Sequence, residues 1–162
     1  MSVEKVKAFF QKQGFAGEIF EFSGSSATVA LAAKALGVEE GRIAKSLTFY
    51  APEDGACLMV VCAGDTKIDN VKFKQTFGVK AKMLSPDDVE QMTGYAVGGV
   101  CPFAMPPCTT VCLDESLKRF ETVYPACGSS NSAVCLTLPQ LEELSFFKTW
   151  VDVTKLVQEN VV

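Results

Sequence analysis

Apolar residues along this chain recur at two spacings, one typical of helices and one typical of strands. Val6, Phe9 and Phe10 share one helical face near the N-terminus, and Gly14 follows as a stop. The run Cys57–Ala63 is continuously apolar between turn residues, which predicts a buried strand. All patterns together predict helices at 2–13, 27–36, 70–77, 86–93 and 139–147 and strands at 18–22, 42–50, 57–63, 80–84, 109–113, 122–126, 133–138 and 150–153.

Polar residues that can cap a helix precede each predicted helix. A serine, threonine or aspartate side chain can accept a hydrogen bond from a first-turn amide, which has no partner inside the helix. The expected caps are Ser2, then Ser25 or Ser26, then Asp69, Ser85 and Thr137, the last with Gln140 as a capping box. Helices and strands do not alternate strictly, and no linker or repeat interrupts residues 1–162. These features predict a single α+β domain with a mixed sheet.

The composition is typical of one compact domain. Hydrophobic residues make up 48% of the 162 positions and charged residues 21%, an ordinary balance for a folded protein. No apolar run approaches the roughly 20 residues that span a bilayer. The N-terminus lacks the apolar core of a signal peptide. We therefore expect a cytoplasmic protein with no membrane partner.

Histidine is absent, and the seven cysteines contain no CxxC pair. The missing imidazole excludes Ser-His-Asp and Cys-His catalysis and removes the commonest metal ligand. Reduced thiols packed in a core fit this spacing better than a disulfide framework does. We expect no metal and no cofactor, so any chemistry depends on lysine, carboxylates, hydroxyls, thiols, backbone amides or the substrate itself.

Charge is unevenly distributed along the chain. The net charge of −4 argues against a protein that coats nucleic acid nonspecifically, and we expect no DNA partner. Residues 64–84, however, carry five lysines against two aspartates. Within them, Lys67, Lys72 and Lys74 are candidates for contacts with a few phosphates. A solvated helix face is the alternative.

Residues 93–103 combine three glycines and a proline around an apolar run. Glycine permits positive φ and close approach of the backbone, and proline lacks an amide donor. Such a loop can direct the bare N–H groups of Gly98 and Gly99 into a cavity, where they would stabilise a developing oxyanion. The alternative is a tight connection that crosses another strand closely.

Lys45 shares a predicted strand face with Ile43 and Leu47. An inward lysine is costly unless it borders a cavity or meets an anion, so it is a candidate for binding a phosphate or polarising a carbonyl. The alternative is a lysine that extends to solvent from an edge strand. Asp65 directly follows the most apolar strand and is a candidate for orienting a water or pairing with a lysine.

Cys101 and Asn131 each have a functional and a structural interpretation. A Cys101 thiolate would need Lys45 nearby as its activating charge, and a small packing residue is the alternative. Asn131 can hydrogen-bond a substrate, and an Asx turn explains it equally well.

These motifs follow one another in an order that resembles the YbaK/ProRS-associated domain family, whose members edit aminoacyl-tRNA either alone or inserted in prolyl-tRNA synthetase. The similar segments are Ala35-Leu-Gly-Val, Ile43-Ala-Lys-Ser-Leu, Gly64-Asp and Thr93-Gly-Tyr-Ala-Val-Gly-Gly-Val-Cys-Pro. The resemblance covers roughly residues 20–152 and includes Gly128 and Asn131. Its most specific elements are Lys45 and the Gly-x-x-x-Pro loop at 98–102.

The resemblance implies a mixed, mostly antiparallel sheet or partial barrel flanked by helices. It also implies hydrolysis of the ester that joins a wrong amino acid to the tRNA 3′ end. Aminoacyl-tRNA is then the partner, with prolyl-tRNA synthetase as a second candidate. Lys45 would anchor the terminal nucleotide, the Gly98 and Gly99 amides would stabilise the oxyanion, and a substrate group would move the proton. The expected substrate contacts are Phe49, Asp65, Tyr95, Val100, Cys101, Pro102 and Asn131.

Both the substrate and the activity have alternatives. Some branches of the family carry a histidine near the position of Asn131, and its absence here disfavours alanine editing. The sequence at 98–102 is closer to the stand-alone branch that removes cysteine from proline tRNA. The alternative function is a noncatalytic module that binds a tRNA end, a nucleotide or a synthetase on the same fold.

Overall fold

The structure is a computed structural model, which describes residues 2–157. The helices in this range are α1 Ser2–Lys12, α2 Val29–Leu36, α3 Asn70–Phe77, α4 Pro86–Thr93 and α5 Leu138–Ser145. The strands are β1 Ile19–Glu21, β2 Ile43–Tyr50, β3 Cys57–Ala63, β4 Thr66–Ile68, β5 Thr109–Asp114, β6 Thr122–Pro125, β7 Ser132–Val134, β8 Leu136–Thr137, β9 Thr149–Val151 and β10 Thr154–Leu156.

Six strands form the central mixed sheet in the order β8-β6-β2-β3-β5-β9. β2 is antiparallel to β3 and parallel to β6, while β5 is parallel to both β3 and β9. β1 with β7, and β4 with β10, form separate antiparallel ribbons. The sheet curls into a half-barrel with helices packed against it. The expected α+β class, a partial barrel flanked by helices, is confirmed.

β3 lies inside the sheet and is buried along its whole length. Val61 faces one apolar cluster together with Phe10 of α1, and Cys62 faces a second together with Phe73 of α3. Alternate side chains of a strand point to opposite sides of a sheet, so a continuously apolar strand requires a sheet that is covered on both sides. The prediction of a buried strand at Cys57–Ala63 is confirmed.

Three of the expected helix caps are confirmed. They are Asp69 for α3, Ser85 for α4, and the Thr137–Gln140 capping box for α5. The α2 cap is different, because Thr28 accepts the hydrogen bond from a first-turn amide and the helix begins at Val29. Ser25 and Ser26, the residues expected there, instead contact the carbonyl of Ser130. Ser2 lies within α1, and its side chain is outside the described part of the chain.

The strands that differ from the prediction are short or make few pairs with their neighbours. Residues 80–84 make one isolated antiparallel bridge, between Met83 and Phe49, because α4 begins soon after at Pro86. The expected strand at 133–138 is divided at Cys135 into β7 and β8, which pair with different strands. β4 and β10 have only three residues each, too few for a recognisable alternation. None of the helices within residues 2–157 has the length and apolar content needed to cross a membrane.

Candidate functional site

A cavity of about 440 Å³ opens at the edge of β2. β6 pairs with β2 only at Ile43 and Ala44, and segment 82–84 reaches β2 only around Phe49. The cavity occupies the gap between these two pairings, and α2, α4 and the glycine-rich loop contribute its other walls. Its volume is in the range of sites for small ligands. The gap therefore offers a place for a small molecule or for the end of a larger one.

Lys45 lines this cavity from near the start of β2. Its ammonium group donates a hydrogen bond to the backbone carbonyl of Thr66 in β4. Within residues 2–157, no carboxylate forms a salt bridge with Lys45. An ammonium carries three N–H donors, so Lys45 retains donors for an anion or a carbonyl.

Asp65 lies in the turn before β4 and is paired with Arg119. The guanidinium nitrogens of Arg119 lie 2.6 and 3.0 Å from the two carboxylate oxygens. The hydrogen bonds from Arg119, and to a smaller extent the charge of Lys45, hold the pKa of Asp65 below its usual value. A Cβ on Gly41 would lie 2.9 Å from the Asp65 carboxylate, so a larger residue there would force that side chain to shift. Asp65 thus pairs with an arginine rather than with a lysine.

Gly98 lies in a tight turn of residues 96–99 on the cavity wall. The Gly99 N–H donates to the Ala96 carbonyl at 3.0 Å, and Gly98 has φ of 96°. A positive φ at the third position is the mark of a type II turn, which favours glycine. The Gly98 N–H has no hydrogen-bond partner among the described residues. The N–H groups of Val97 and Val100, on the same cavity wall, are also unbonded among the described residues, whereas the Gly99 N–H is already bonded.

The close approach of Gly99 to another loop fixes the position of this turn. A Cβ on Gly99 would lie 2.8 Å from both the carbonyl carbon and the carbonyl oxygen of Gly128. No side chain fits in this space unless the backbone moves. The tight connection that the sequence offered as one alternative is present, and the same turn carries an unbonded N–H at Gly98 on the cavity wall.

Of the seven expected substrate contacts, only Val100 lines the cavity. Phe49 packs on Phe73 in the core, and Pro102 is buried. The Tyr95 hydroxyl is fully buried and donates to the Phe103 carbonyl at 2.6 Å. The Asn131 side-chain amide donates to the Phe22 carbonyl at 2.8 Å. These residues support the fold around the site.

Cys101 is fully buried and does not line the cavity. Burial raises the pKa of its thiol to about 12, because the thiolate would lose its hydration. All seven cysteines are free thiols, in agreement with the expectation of reduced cysteines. The geometry therefore matches the packing interpretation of Cys101.

The three candidate phosphate-binding lysines differ in their surroundings. Lys72 forms an ion pair with Asp152 at 2.9 Å. Lys67 and Lys74 are exposed, and Lys67 lies opposite Lys155 in the β4–β10 ribbon. Two like charges directly across an antiparallel pair repel each other, so an anion at this surface would relieve the repulsion.

The cavity also contains polar residues that the sequence did not indicate. Ser46, Tyr124 and Ser132 line it beside Lys45, which is the only charged residue among its lining residues in the described chain. Ser46 and Lys45 are neighbours in β2, so their side chains point to opposite faces of the strand. Both residues line one cavity because strand pairing is interrupted at this point of β2. Such a gap in strand pairing cannot be recognised from a local sequence pattern.

Comparison with known proteins places this fold and site in a family. Residues 24–144 match the aminoacyl-tRNA editing domain. The chain therefore belongs to the aminoacyl-tRNA editing domain family, as the sequence motifs predicted. This match includes Lys45, Gly98 and the other walls of the cavity.

Individual relatives agree with this assignment. The chain is 52% identical to "Uncharacterized protein YwhH" of Bacillus subtilis, over 96% of this chain and 98% of that protein. It is 29% identical to "Putative Cys-tRNA(Pro)/Cys-tRNA(Cys) deacylase EbsC" of Enterococcus faecalis, over 78% of this chain and 74% of the relative. The structure superposes with a TM-score of 0.84 on a solved protein described as "a putative trans-editing enzyme for prolyl tRNA synthetase", at 27% identity over 95% and 97% of the two chains.

Proposed function

We propose that this protein is a deacylase that hydrolyses the ester of mischarged tRNA in trans. The observation that carries the proposal is the presence of Lys45 and the unbonded Gly98 N–H on one cavity, in a chain of the editing-domain family. A cation and an amide donor at the same cavity suit an ester attached to a nucleotide, because they can bind its phosphate or ribose and its carbonyl separately.

The proposed reaction requires little acid–base power from the protein. The Lys45 ammonium binds the phosphate or ribose of the terminal adenosine, and the Gly98 N–H donates to the ester carbonyl oxygen. Water adds to the carbonyl carbon, the bond to the ribose oxygen breaks, and that oxygen leaves with a proton. The products are the free amino acid and uncharged tRNA.

The proton is moved by the substrate in this proposal. The lining residues within the described chain include no carboxylate and no thiol, and the sequence has no histidine. A ribose hydroxyl, the amino group or the amino-acid side chain therefore takes the proton from the attacking water. The ester is already activated, so orientation and charge stabilisation supply the larger part of the rate enhancement.

The proposed substrate is proline tRNA that carries cysteine. The Enterococcus faecalis relative, whose name refers to Cys-tRNA(Pro), and the solved protein described as "a putative trans-editing enzyme for prolyl tRNA synthetase" both support this choice. Selectivity would come from the size of the cavity, which excludes larger side chains sterically. Prolyl-tRNA synthetase is the proposed partner, and the cytoplasm, where charged tRNA is used, is the proposed location.

A noncatalytic module that binds the tRNA end, a nucleotide or a synthetase is the second candidate function. The observation in its favour is the cavity's lack of a side-chain base among the described residues. Such a module would bind mischarged tRNA without releasing the amino acid, so a turnover measurement distinguishes the two functions.

The test is deacylation of proline tRNA labelled with cysteine, alanine, serine or proline. We expect the cysteine ester to be hydrolysed fastest and Lys45→Ala to reduce kcat/KM at least about 100-fold. Lys12→Ala, which removes an exposed lysine at the end of α1, is the matched control and should retain full activity. Wild-type protein that binds these tRNAs but hydrolyses none would exclude the deacylase.

A further inference from the structure

Ser46 is the residue of the cavity whose polar atoms are least used by the protein. We propose that Ser46 is a substrate-binding residue that holds the α-amino group of the esterified amino acid. The inference rests on the proposed function, because it requires that the cavity receives the aminoacylated 3′ end. It adds a recognition site for the amino acid's own amine, separate from Lys45 and Gly98.

The Ser46 hydroxyl has no partner among the described residues. Its oxygen is enclosed and makes no hydrogen bond, although Ser46 lines the cavity. Among the side-chain oxygens and nitrogens of residues 2–157, it is the one that is both buried and unbonded. Buried polar groups normally have partners, because an unbonded one loses its hydration without compensation. The proposal therefore requires a second Ser46 rotamer, in which the hydroxyl faces the cavity.

The peptide groups of Ser46 are unpaired on the same strand edge. Tyr50 N–H donates to the Lys82 carbonyl at 2.9 Å, and Leu84 N–H donates to the Thr48 carbonyl at 3.1 Å. The next donor in that register would be residue 86, opposite Ser46, but this residue is a proline and has no N–H.

The parallel strand on the other side of the gap also stops short of Ser46. β6 pairs with β2 at Ile43 and Ala44 and goes no further. No backbone hydrogen bond within residues 2–157 joins Ser46 to β6 or to segment 82–84. The Ser46 carbonyl oxygen is thus left without a partner at this strand edge, and the unbonded hydroxyl is a second acceptor on the same residue.

Two neighbouring acceptors match the chemistry of a primary amine. An amine has at least two N–H donors, and an apolar cavity that receives it must satisfy them. The lining residues of the described chain include no carboxylate, so the amine is recognised by hydrogen bonds rather than by an ion pair. The nearby positive charge of Lys45 favours the neutral amine over the ammonium form.

Non-hydrolysable analogues provide the test. The probes are adenosine with cysteine joined to its 3′ carbon through an amide, and the matching analogue that lacks the α-amino group. We expect Ser46→Ala to bind the first analogue about 10-fold more weakly and the second unchanged. Its kcat/KM should fall about 10-fold, and its Tm should be at least that of the wild type, because the hydroxyl has no partner among the described residues of the folded protein.

The controls separate this inference from the proposed function. Ser23→Ala, which changes an exposed serine, should match the wild type for both analogues. Unchanged binding of the amino-bearing analogue by Ser46→Ala, or equal losses for both analogues, would overturn the role of Ser46 even if the wild type is an active deacylase. Selective loss of the amino-bearing analogue in a protein that hydrolyses no ester would refute the deacylase and support the amine site.

Discussion

Arg119 holds Asp65 through two hydrogen bonds, at 2.6 and 3.0 Å, and within residues 2–157 that carboxylate forms no salt bridge with Lys45. The hydrogen bonds from Arg119, and to a smaller extent the charge of Lys45, hold the pKa of Asp65 below its usual value. The charge of Lys45 is thus left available to a ligand, and we expect this to depend on the Arg119–Asp65 pair. The contribution of this pair to folding is modest, because both partners are partly exposed.

Removal of the Arg119 guanidinium should lower the activity, because Asp65 is then free to pair with Lys45. We expect Arg119→Gln to release Asp65 to pair with Lys45 and to lower kcat/KM about 10-fold, mainly through a higher KM. The double variant Arg119→Gln with Asp65→Asn should recover most of the activity, because no carboxylate then competes for Lys45. Deacylation rates of the two variants measure this directly, and a double variant as impaired as Arg119→Gln would contradict the explanation.

The same carboxylate should make stability sensitive to acid. Because the pKa of Asp65 is lowered in the folded state, its stabilising contribution is present above the ordinary value of 3.8 and is lost as the pH falls through the lower folded value. Asp65→Asn should therefore lose less stability than the wild type when the pH is lowered through this range. Urea unfolding across a pH series measures the difference. If the free energy of unfolding depends on pH in the same way for the two proteins, Asp65 does not contribute to the acid sensitivity.

The contact of Gly99 with Gly128 should make Gly99 intolerant of a side chain. We expect Gly99→Ala to lower the free energy of unfolding by about 1–3 kcal/mol, because the added methyl meets backbone atoms. Gly24→Ala is the matched control, since a Cβ there meets nothing within 4 Å, and it should change stability by less than about 0.5 kcal/mol. Denaturant titration compares the two, and equal stability would show that the loops separate without cost.

The buried Cys101 thiol should be structural. Cys101→Ala should leave kcat/KM within about twofold of the wild type and cost about 1 kcal/mol of stability, the order expected for one buried methyl-sized group. In the wild type, the thiol should react with a thiol reagent at about pH 8 only after denaturation. A loss of activity of about 100-fold in a folded Cys101→Ala protein would instead give the thiol a chemical role.

Alkali should destabilise the wild type partly through this thiol. The pKa of Cys101 is raised in the folded state. Its stabilising contribution to folding is therefore fully present below the ordinary value of 9.0 and is lost as the pH rises toward about 12. The stability of Cys101→Ala should fall less steeply over this range than that of the wild type. Equal slopes of stability against pH for the two proteins, measured by urea titration, would show that the Cys101 thiol does not cause the alkaline destabilisation.

The exposed lysines should contribute to tRNA affinity through charge. Each of Lys67→Ala and Lys74→Ala should reduce the slope of log K against log salt by about 0.7–0.9, the value for one released counterion. Lys72→Ala should change the slope less, because Asp152 already compensates its charge. Binding titrations from low to moderate salt measure these slopes, and an unchanged slope in all three variants would exclude this surface as a phosphate contact.

Local sequence patterns determined most of the secondary structure. The continuous apolar run of β3, the Asp69 and Ser85 caps and the Thr137–Gln140 capping box each depend on residues within a few positions of one another. The caps form through hydrogen bonds between neighbouring residues, and the apolar run is a local signal for a strand that the folded sheet then buries on both sides. The order of motifs also identified the family before the fold was known.

The composition of the site was decided by contacts between distant parts of the chain. Arg119 reaches Asp65 across 54 positions, and the missing backbone partner of Ser46 results from Pro86 and from the end of β6. Strand register and close packing bring such residues together only in the folded chain, because each pairing depends on every other pairing in the sheet. The sequence indicated Lys45 and the glycine loop, while within residues 2–157 tertiary structure alone left Lys45 without a carboxylate and Ser46 without a partner.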